Sequence, residues 1–251
     1  MTTDSPPESV TVLTRDQPGN RLWKTALERR GLVIYDLPCI ETASVPLSAD
    51  SRQLLSHLPD YEWLIFTSAA GVRFFAGLVT ASSLDRHTLA QLKIAAVGRS
   101  TADSITALGL VVSFTPSQAD VTTLTSQLPG VKNHQVLFVQ AAVTDPEARA
   151  KLEKRGAHVD VLPVYQTKLL TKPDPIYSSL LAAGGVERVI FASPSAVTAY
   201  WARLTSVEHR LATNVPAIAI GKATSRALTD LRFATITIAK TPSVEAILDL
   251  I

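Results

Sequence analysis

Short apolar runs alternate with stretches of helical period along the whole of this chain. Val10-Thr-Val-Leu-Thr14 is β-rich and predicts an opening strand. Leu22, Trp23, Ala26 and Leu27 follow at helical spacing, with Asn20 expected as the cap and Gly31 as the stop. Leu32–Leu37 predicts a second strand, ended by Pro38. Trp63-Leu-Ile-Phe66 is apolar at every position, which predicts a strand buried on both faces. Ser68 then opens a helix carrying Val72, Phe75 and Leu78. Lys93–Val97 predicts a strand with a tight turn at Gly98, and Ser100 starts a helix that stops at Gly109. Val111–Phe114 predicts another strand, and Asp120 a cap for a helix through Leu124 and Leu128.

The second half runs through the same order. Val136–Val139 predicts a strand, and Asp145-Pro146-Glu147 a helix start with Asp as cap, ending at Gly156. Val159–Leu162 predicts a strand that Pro163 should stop, before Val164-Tyr165-Gln166-Thr167. Arg188–Phe191 precedes a cap and first-turn proline at Ser193-Pro194. Ala217–Ile220 precedes Gly221, and Thr235–Ile238 precedes a last helix start at Thr241-Pro242. Alternation of this kind predicts an α/β protein with parallel sheets covered on both faces.

The two halves are also copies in detail. Ile65-Phe66-Thr67-Ser68 returns 125 residues later as Ile190-Phe191-Ala192-Ser193. Arg30-Gly31 returns at the same offset as Arg155-Gly156, and Pro38 as Pro163. Val97-Gly98 returns 123 residues later as Ile220-Gly221. A long-period repeat in matched order predicts two similar domains, and clefts between domains are common ligand sites. The 251 residues are enough for two such domains.

Composition narrows the function. Twenty-four basic against 22 acidic residues leave a net charge of +2, too little for a nucleic-acid footprint. Cys39 stands alone, which excludes an internal disulfide and fits a reducing compartment. The five histidines are scattered without metal-ligand spacing. No apolar run approaches the roughly 20 residues of a membrane span. Met1–Ser9 lacks the pattern of an export signal and predicts a disordered start. The expectation is a cytoplasmic monomer acting on a small molecule, with no nucleic-acid or membrane partner.

A set of motifs, taken in order, resembles the uroporphyrinogen-III synthase family. They are Leu13-Thr14-Arg15, Pro38-Cys-Ile40, Leu64-Ile-Phe-Thr-Ser68 and Ala96-Val-Gly98 with Thr101-Ala102. Val164–Thr167, Phe191-Ala-Ser-Pro-Ser195, Ala219-Ile-Gly221 with Thr224, and Thr241–Glu245 complete the set. One departure is Gln140-Ala141, where the family often places Arg-Gly. The resemblance implies two doubly wound, flavodoxin-like domains joined by a two-stranded linker. Carried over, one lobe is 1–38 plus 167–251, the other is 41–163, and the linkers are 38–41 and 163–167. Only two short segments would then join the lobes, an arrangement that allows hinge motion. Two contiguous lobes split near Gly130 are the alternative.

The family's reaction closes hydroxymethylbilane, a linear tetrapyrrole rich in carboxylates, with loss of its terminal hydroxyl and inversion of the last ring. It implies no metal or organic cofactor. In a chain of net charge +2, backbone N–H groups at helix starts are the expected carboxylate donors. Thr67, Ser68, Gly98, Ser100 and Thr101 supply them in one copy, and Ser193, Ser195, Gly221 and Thr224 in the other. Equally, these hydroxyls are ordinary helix caps. Arg15 is a candidate partner for acid groups, as are Arg99, Arg149 and Lys222. Tyr165 is the candidate catalytic residue, since a phenol with a pKa of about 10 stays protonated and can donate to a departing hydroxyl. Its counterpart in the first copy is Ile40, so packing on a linker strand is the competing role. The alternatives to an enzyme are a two-lobed binding protein for a small anion and a sensor lobe of a larger regulator.

Overall fold

The structure is a computed structural model that describes residues 9–81, 86–144 and 146–251. Met1–Glu8 and the expected cap Asp145 lie outside the described residues. The strands are β1 (Val10–Leu13), β2 (Ile34–Asp36), β3 (Ile40–Ser44), β4 (Trp63–Phe66), β5 (Lys93–Ala96), β6 (Gln135–Ala141), β7 (His158–Leu169), β8 (Val186–Phe191), β9 (Ala217–Ala219) and β10 (Ile236–Ile238). Of the helices, α1 (Gln17–Glu28), α2 (Ala49–Ser56), α3 (Ala69–Ala81), α4 (Arg86–Gln91), α5 (Arg99–Thr106) and α6 (Val121–Gln127) precede β6. After it come α7 (Glu147–Lys154), α8 (Pro175–Ala182), α9 (Pro194–Arg203), α10 (Ser206–Ala212), α11 (Lys222–Asp230) and α12 (Val244–Leu248).

The chain divides into two compact units. One holds the residues up to Glu41 together with Thr167–Ile251, and the other holds Thr42–Gln166. The first unit carries a parallel sheet of order β10-β9-β8-β1-β2. The second carries β3-β7-β6-β4-β5, and Phe114 adds a parallel bridge to Ala95 beyond β5. Read from β7 to Phe114, the second order matches the first read from β2 to β10. In the first unit it is the 2-1-3-4-5 order of a doubly wound, flavodoxin-like sheet; the second reaches the same spatial order with its last two strands, β6 and β7, in the first two positions. The sequence repeat therefore places β6, β7, β4 and β5 where β1, β2, β8 and β9 stand in the other unit. The strand β3 has no counterpart among the described residues. Backbone bonds from Leu170 N to Cys39 O (2.8 Å) and from Val45 N to Val164 O (3.3 Å) make it antiparallel to β7.

Each sheet is covered on both faces, which explains its continuous apolar strands. In the first unit Val12, Val189 and Phe191 pack with Tyr177 and Tyr200 on one face. Leu13, Ile190 and Ile218 pack with Trp23, Leu27 and Ile247 on the other. In the second unit Leu64, Phe66, Leu137 and Val139 meet Val72, Phe75 and Ile105, while Trp63, Ile65, Val136 and Phe138 meet Leu124, Leu128 and Leu152.

Several local expectations are corrected. Asn20 does not cap α1: the helix begins at Gln17 after Asp16, and Asn20 is an interior residue, fully buried. Its amide bonds Leu13 O (3.1 Å) and Asp36 Oδ1 (2.5 Å) and accepts from Arg15 N (2.9 Å), tying the ends of β1 and β2 together. Pro163 does not stop its strand: β7 runs through it. The register against β6 shifts just there, from Gln140–Pro163 to Ala141–Tyr165, and such an irregularity accommodates a residue without an N–H. Val111–Phe114 forms only the single bridge at Phe114. The last helix is capped by Ser243, whose Oγ accepts from Ala246 N at 3.2 Å, and not by Thr241. Ser100 lies in the first turn of α5, with Gly98 in the cap position.

Candidate functional site

Parallel pairing brings the ends of consecutive strands to one edge of each sheet. In the second unit Phe66 pairs with Ala96 and Val139, and Val139 with Leu162. Just beyond this row lie Thr67-Ser68, Val97-Gly98, Gln140-Ala141 and Tyr165. In the first unit Leu13 pairs with Asp36 and Ile190, and Ile190 with Ile218. Beyond that row lie Thr14-Arg15, Ala192-Ser193 and Ile220-Gly221. Within each unit the candidate residues therefore share the carboxyl edge of the sheet, where open α/β sheets bind ligands.

Two of the helix starts at these edges are capped by a side chain. Ser68 Oγ accepts from Gly71 N at 3.0 Å at the start of α3. Ser193 Oγ accepts from Ala196 N at 3.2 Å at the start of α9, and lies 3.0 Å from Ser195 Oγ. The other two starts are bare. Gly98 and Gly221 stand in the cap positions of α5 and α11, and neither helix has a side-chain cap. The first-turn N–H groups of Arg99–Thr101 and Lys222–Thr224 precede the first intrahelical donors, Ala102 N and Ser225 N. Thr101 and Thr224, 123 residues apart, are buried at 6% and 2% exposure. With their side chains turned inward, what they offer at the edge is the N–H. Both bare ends combine unpaired donors with the positive end of a helix dipole.

Tyr165 is held against one of the capped starts. Its Oη lies 3.0 Å from Ser68 Oγ, although the two residues are 97 apart in sequence. Its ring stacks on Phe74 of α3, with centroids 5.5 Å apart and planes 12° from parallel. Arg73 Cζ lies 5.1 Å from the Phe74 ring centroid, and its guanidinium donates to Thr42 Oγ1 at 3.0 Å. A Cβ built on Gly71 would lie 3.4 Å from Ser68 Oγ and from Val139 O, so the helix start seats closely on the end of β6. Phe74 and Arg73 were not among the sequence candidates. Gly71, Phe74 and Leu78 share one face of α3 at helical spacing, and that face was the available signal.

In the first unit Arg15 follows β1. Its guanidinium lies 4.5 Å from the Trp23 ring centroid, and no ion pair or side-chain hydrogen bond holds it among the described residues. Burial pushes its pKa below the usual arginine value, with the Asp16 carboxylate opposing. A ligand carboxylate would offset that desolvation. Thr14 does not reach the edge: its hydroxyl is buried and donates to Ile190 O at 2.8 Å. Arg149 is exposed on α7 and pairs with Glu153 at 2.7 Å. Arg99 and Lys222 are exposed at the first positions of α5 and α11.

The uroporphyrinogen-III synthase HemD family matches residues 22–249. The chain belongs to the uroporphyrinogen-III synthase family. That match takes in both units. The chain is 28% identical over 209 residues to a uroporphyrinogen-III synthase of Chlorobaculum parvum, covering 80% of this chain and 81% of that one. It is 25% identical over 219 residues to the porphyrin biosynthesis protein HemD of Ruminiclostridium josui, covering 86% of this chain and 43% of that protein. This chain thus spans less than half the length of that relative. The fold is similar to a uroporphyrinogen III synthase of Thermus thermophilus, with TM-score 0.66, 21% identity and 96% of both chains covered. It is also similar to the enzyme of Helicobacter pylori, with TM-score 0.61, 21% identity, and 96% of this chain and 97% of that one covered. No helix among the described residues is long and apolar enough to cross a membrane.

Proposed function

We propose that this chain converts hydroxymethylbilane to uroporphyrinogen III, as a cyclising lyase that inverts the last pyrrole ring and releases water. The observation that carries the reading is the Tyr165 hydroxyl, fixed at the carboxyl edge of its sheet beside the start of α3. Tyr165 gives its proton to the terminal hydroxyl of the substrate. The C–O bond breaks, its electron pair leaves with the oxygen as water, and the pyrrole nitrogen shares the positive charge that remains. The substituted α-carbon of the last pyrrole attacks the cationic methylene to give a spiro centre. The bond from that carbon to its original bridge breaks, leaving the positive charge on the neighbouring pyrrole, and the bridge rejoins at the free α-carbon, which inverts the ring. The proton shed from that carbon returns to the phenolate.

Each unit offers carboxylate donors at its own sheet edge, chiefly backbone N–H groups: the bare first turn of α5 and the start at Thr67-Ser68 in the second unit, and the bare first turn of α11, the start at Ser193-Ser195 and the Arg15 guanidinium in the first. Backbone donors suit a flexible substrate because they hold an acid group without committing it to one bidentate fork.

The test is to give the purified protein hydroxymethylbilane, oxidise the product and resolve the porphyrin isomers. The inverted isomer should dominate. Formation of only the non-inverted isomer, at the rate seen without protein, would leave a binding protein as the reading. Tyr165→Phe should slow turnover and leave a folded protein. General acid catalysis is worth on the order of 10²–10⁴-fold, and an electron-rich pyrrole that expels hydroxide readily should put the loss at or below the low end.

A further inference from the structure

We infer that Ser68 is a positioning residue for Tyr165, donating its own hydroxyl proton to the phenol oxygen so that the Tyr165 proton is free for substrate. This rests on the reading of Tyr165 as the proton donor. A serine hydroxyl carries one proton and two acceptor lone pairs. One lone pair of Ser68 Oγ is taken by Gly71 N at 3.0 Å. The 3.0 Å contact with Tyr165 Oη can then run in either direction. If Tyr165 donates, its proton is held inside the protein and is lost to the reaction. If Ser68 donates, the phenol proton turns outward.

The reaction selects the second arrangement. When the leaving hydroxyl takes the phenol proton and departs as water, Tyr165 becomes a phenolate. A hydrogen bond to an ionised acceptor is roughly twice as strong as a neutral one, so Ser68 stabilises the phenolate more than the phenol. Gly71 N–H, one of the otherwise unpaired donors of the thirteen-residue helix α3, polarises Ser68 from behind. The proton shed by the closing ring restores the phenol. Phe74, stacked on the ring, keeps the hydroxyl in the plane where Ser68 can reach it.

The repeat provides the contrast. Ser193 occupies the same place in the other unit, but its Oγ meets Ala196 N and Ser195 Oγ and no phenol. One copy of the motif is a plain cap, and the other is a cap that also aims a phenol.

The experiment compares Ser68→Gly and Ser68→Ala, each alone and combined with Tyr165→Phe, and Ser68→Thr as rescue. Glycine is tolerated in a cap position, so Ser68→Gly removes the hydroxyl with little cost to the helix. The readouts are kcat, KM and melting temperature with hydroxymethylbilane as substrate. Ser68→Gly and Ser68→Ala should lower kcat about tenfold or more, with KM held within about twofold. In the Tyr165→Phe background the same changes should alter kcat by less than about twofold, while shifting the melting temperature as they do in the parent. Ser68→Thr should restore most of kcat. A full kcat loss from Ser68→Gly in the Tyr165→Phe background, with Tyr165→Phe itself slow, would overturn the role of Ser68 alone. Parental kcat in Ser68→Gly would do the same. Parental kcat in Tyr165→Phe would overturn the reading of Tyr165 and this role with it.

Discussion

Replacing Gly221 separates ligand binding from folding. Gly221 stands before α11 at φ −174° and ψ 177°, an extended conformation that any residue adopts. A Cβ built there meets no heavy atom within 4 Å. Gly221→Ala and Gly221→Val should therefore cost about 1 kcal/mol or less, the scale of a changed cap. Their effect on binding should be larger. The side chain would stand at the mouth of the first turn, where Lys222–Thr224 present N–H groups without a side-chain cap. A hydrogen bond from such a donor to a carboxylate contributes about 1.5–3 kcal/mol. Losing one should raise Kd roughly 10- to 150-fold. Titrating the porphyrin product into parent and variants reads Kd, and a thermal melt reads the fold. Gly98→Val is the poorer probe, because a Cβ there would lie 3.1 Å from Ala119 Cβ and force a shift. Unchanged Kd in Gly221→Val, with an unchanged melt, would refute the role of this helix start.

Two further outcomes concern the first unit's buried polar groups. Arg203 is buried and donates to Pro38 O at 2.8 Å and Leu170 O at 2.6 Å, so Arg203→Ala would leave two carbonyls without a partner. It should destabilise by about 2–5 kcal/mol, and a chemical denaturation midpoint equal to the parent's would contradict this. Burial pushes the Cys39 thiol up to about 12 from 9.0, against the opposing charge of Arg203. The folded chain keeps that proton while the unfolded chain loses it, so stability should fall as pH rises above about 9, by about 1.4 kcal/mol per pH unit. Cys39→Ala should flatten the profile between about pH 9 and 10; above that, Tyr35, raised to about 12 by burial and by Asp174, adds a slope of the same sign. A Cys39→Ala profile that still falls from pH 9 would assign the loss elsewhere.

The fold was legible where local chemistry and period agreed. The runs at Trp63–Phe66 and at Val189, Ile190 and Phe191 are strands because every position is apolar and a small-residue turn follows. Ser193-Pro194 caps α9 because a hydroxyl and a first-turn proline suit no other element as well. Local signals failed where tertiary context decides. Asn20 carries the right side chain for a cap, but its partners are Leu13 and Asp36 on two strands. Pro163 would end an isolated strand, but here the ladder shifts register around it. The run at Val111–Phe114 has β-branched residues but borders only the edge of β5, and one bridge forms. For the site, the duplicated helix starts were visible because they repeat at fixed offsets. The hydrogen bond between Ser68 and Tyr165 was not, since nothing in a sequence links positions 97 apart until β7 is seated beside β6. Phe74 showed only as part of the Gly71, Phe74 and Leu78 face of α3, because its stacking partner belongs to that strand.

A structure with the porphyrin product bound tests the central claim most directly. On the unit that carries Tyr165, its carboxylates should meet the N–H groups of Arg99–Thr101 and the start at Ser68; carboxylates bound by the other unit should meet the N–H groups of Lys222–Thr224, the start at Ser195 or the Arg15 guanidinium. Tyr165 Oη should remain on Ser68 and face the product. A product whose carboxylates pair mostly with Arg and Lys side chains away from these helix starts, with Tyr165 out of reach, would contradict the account.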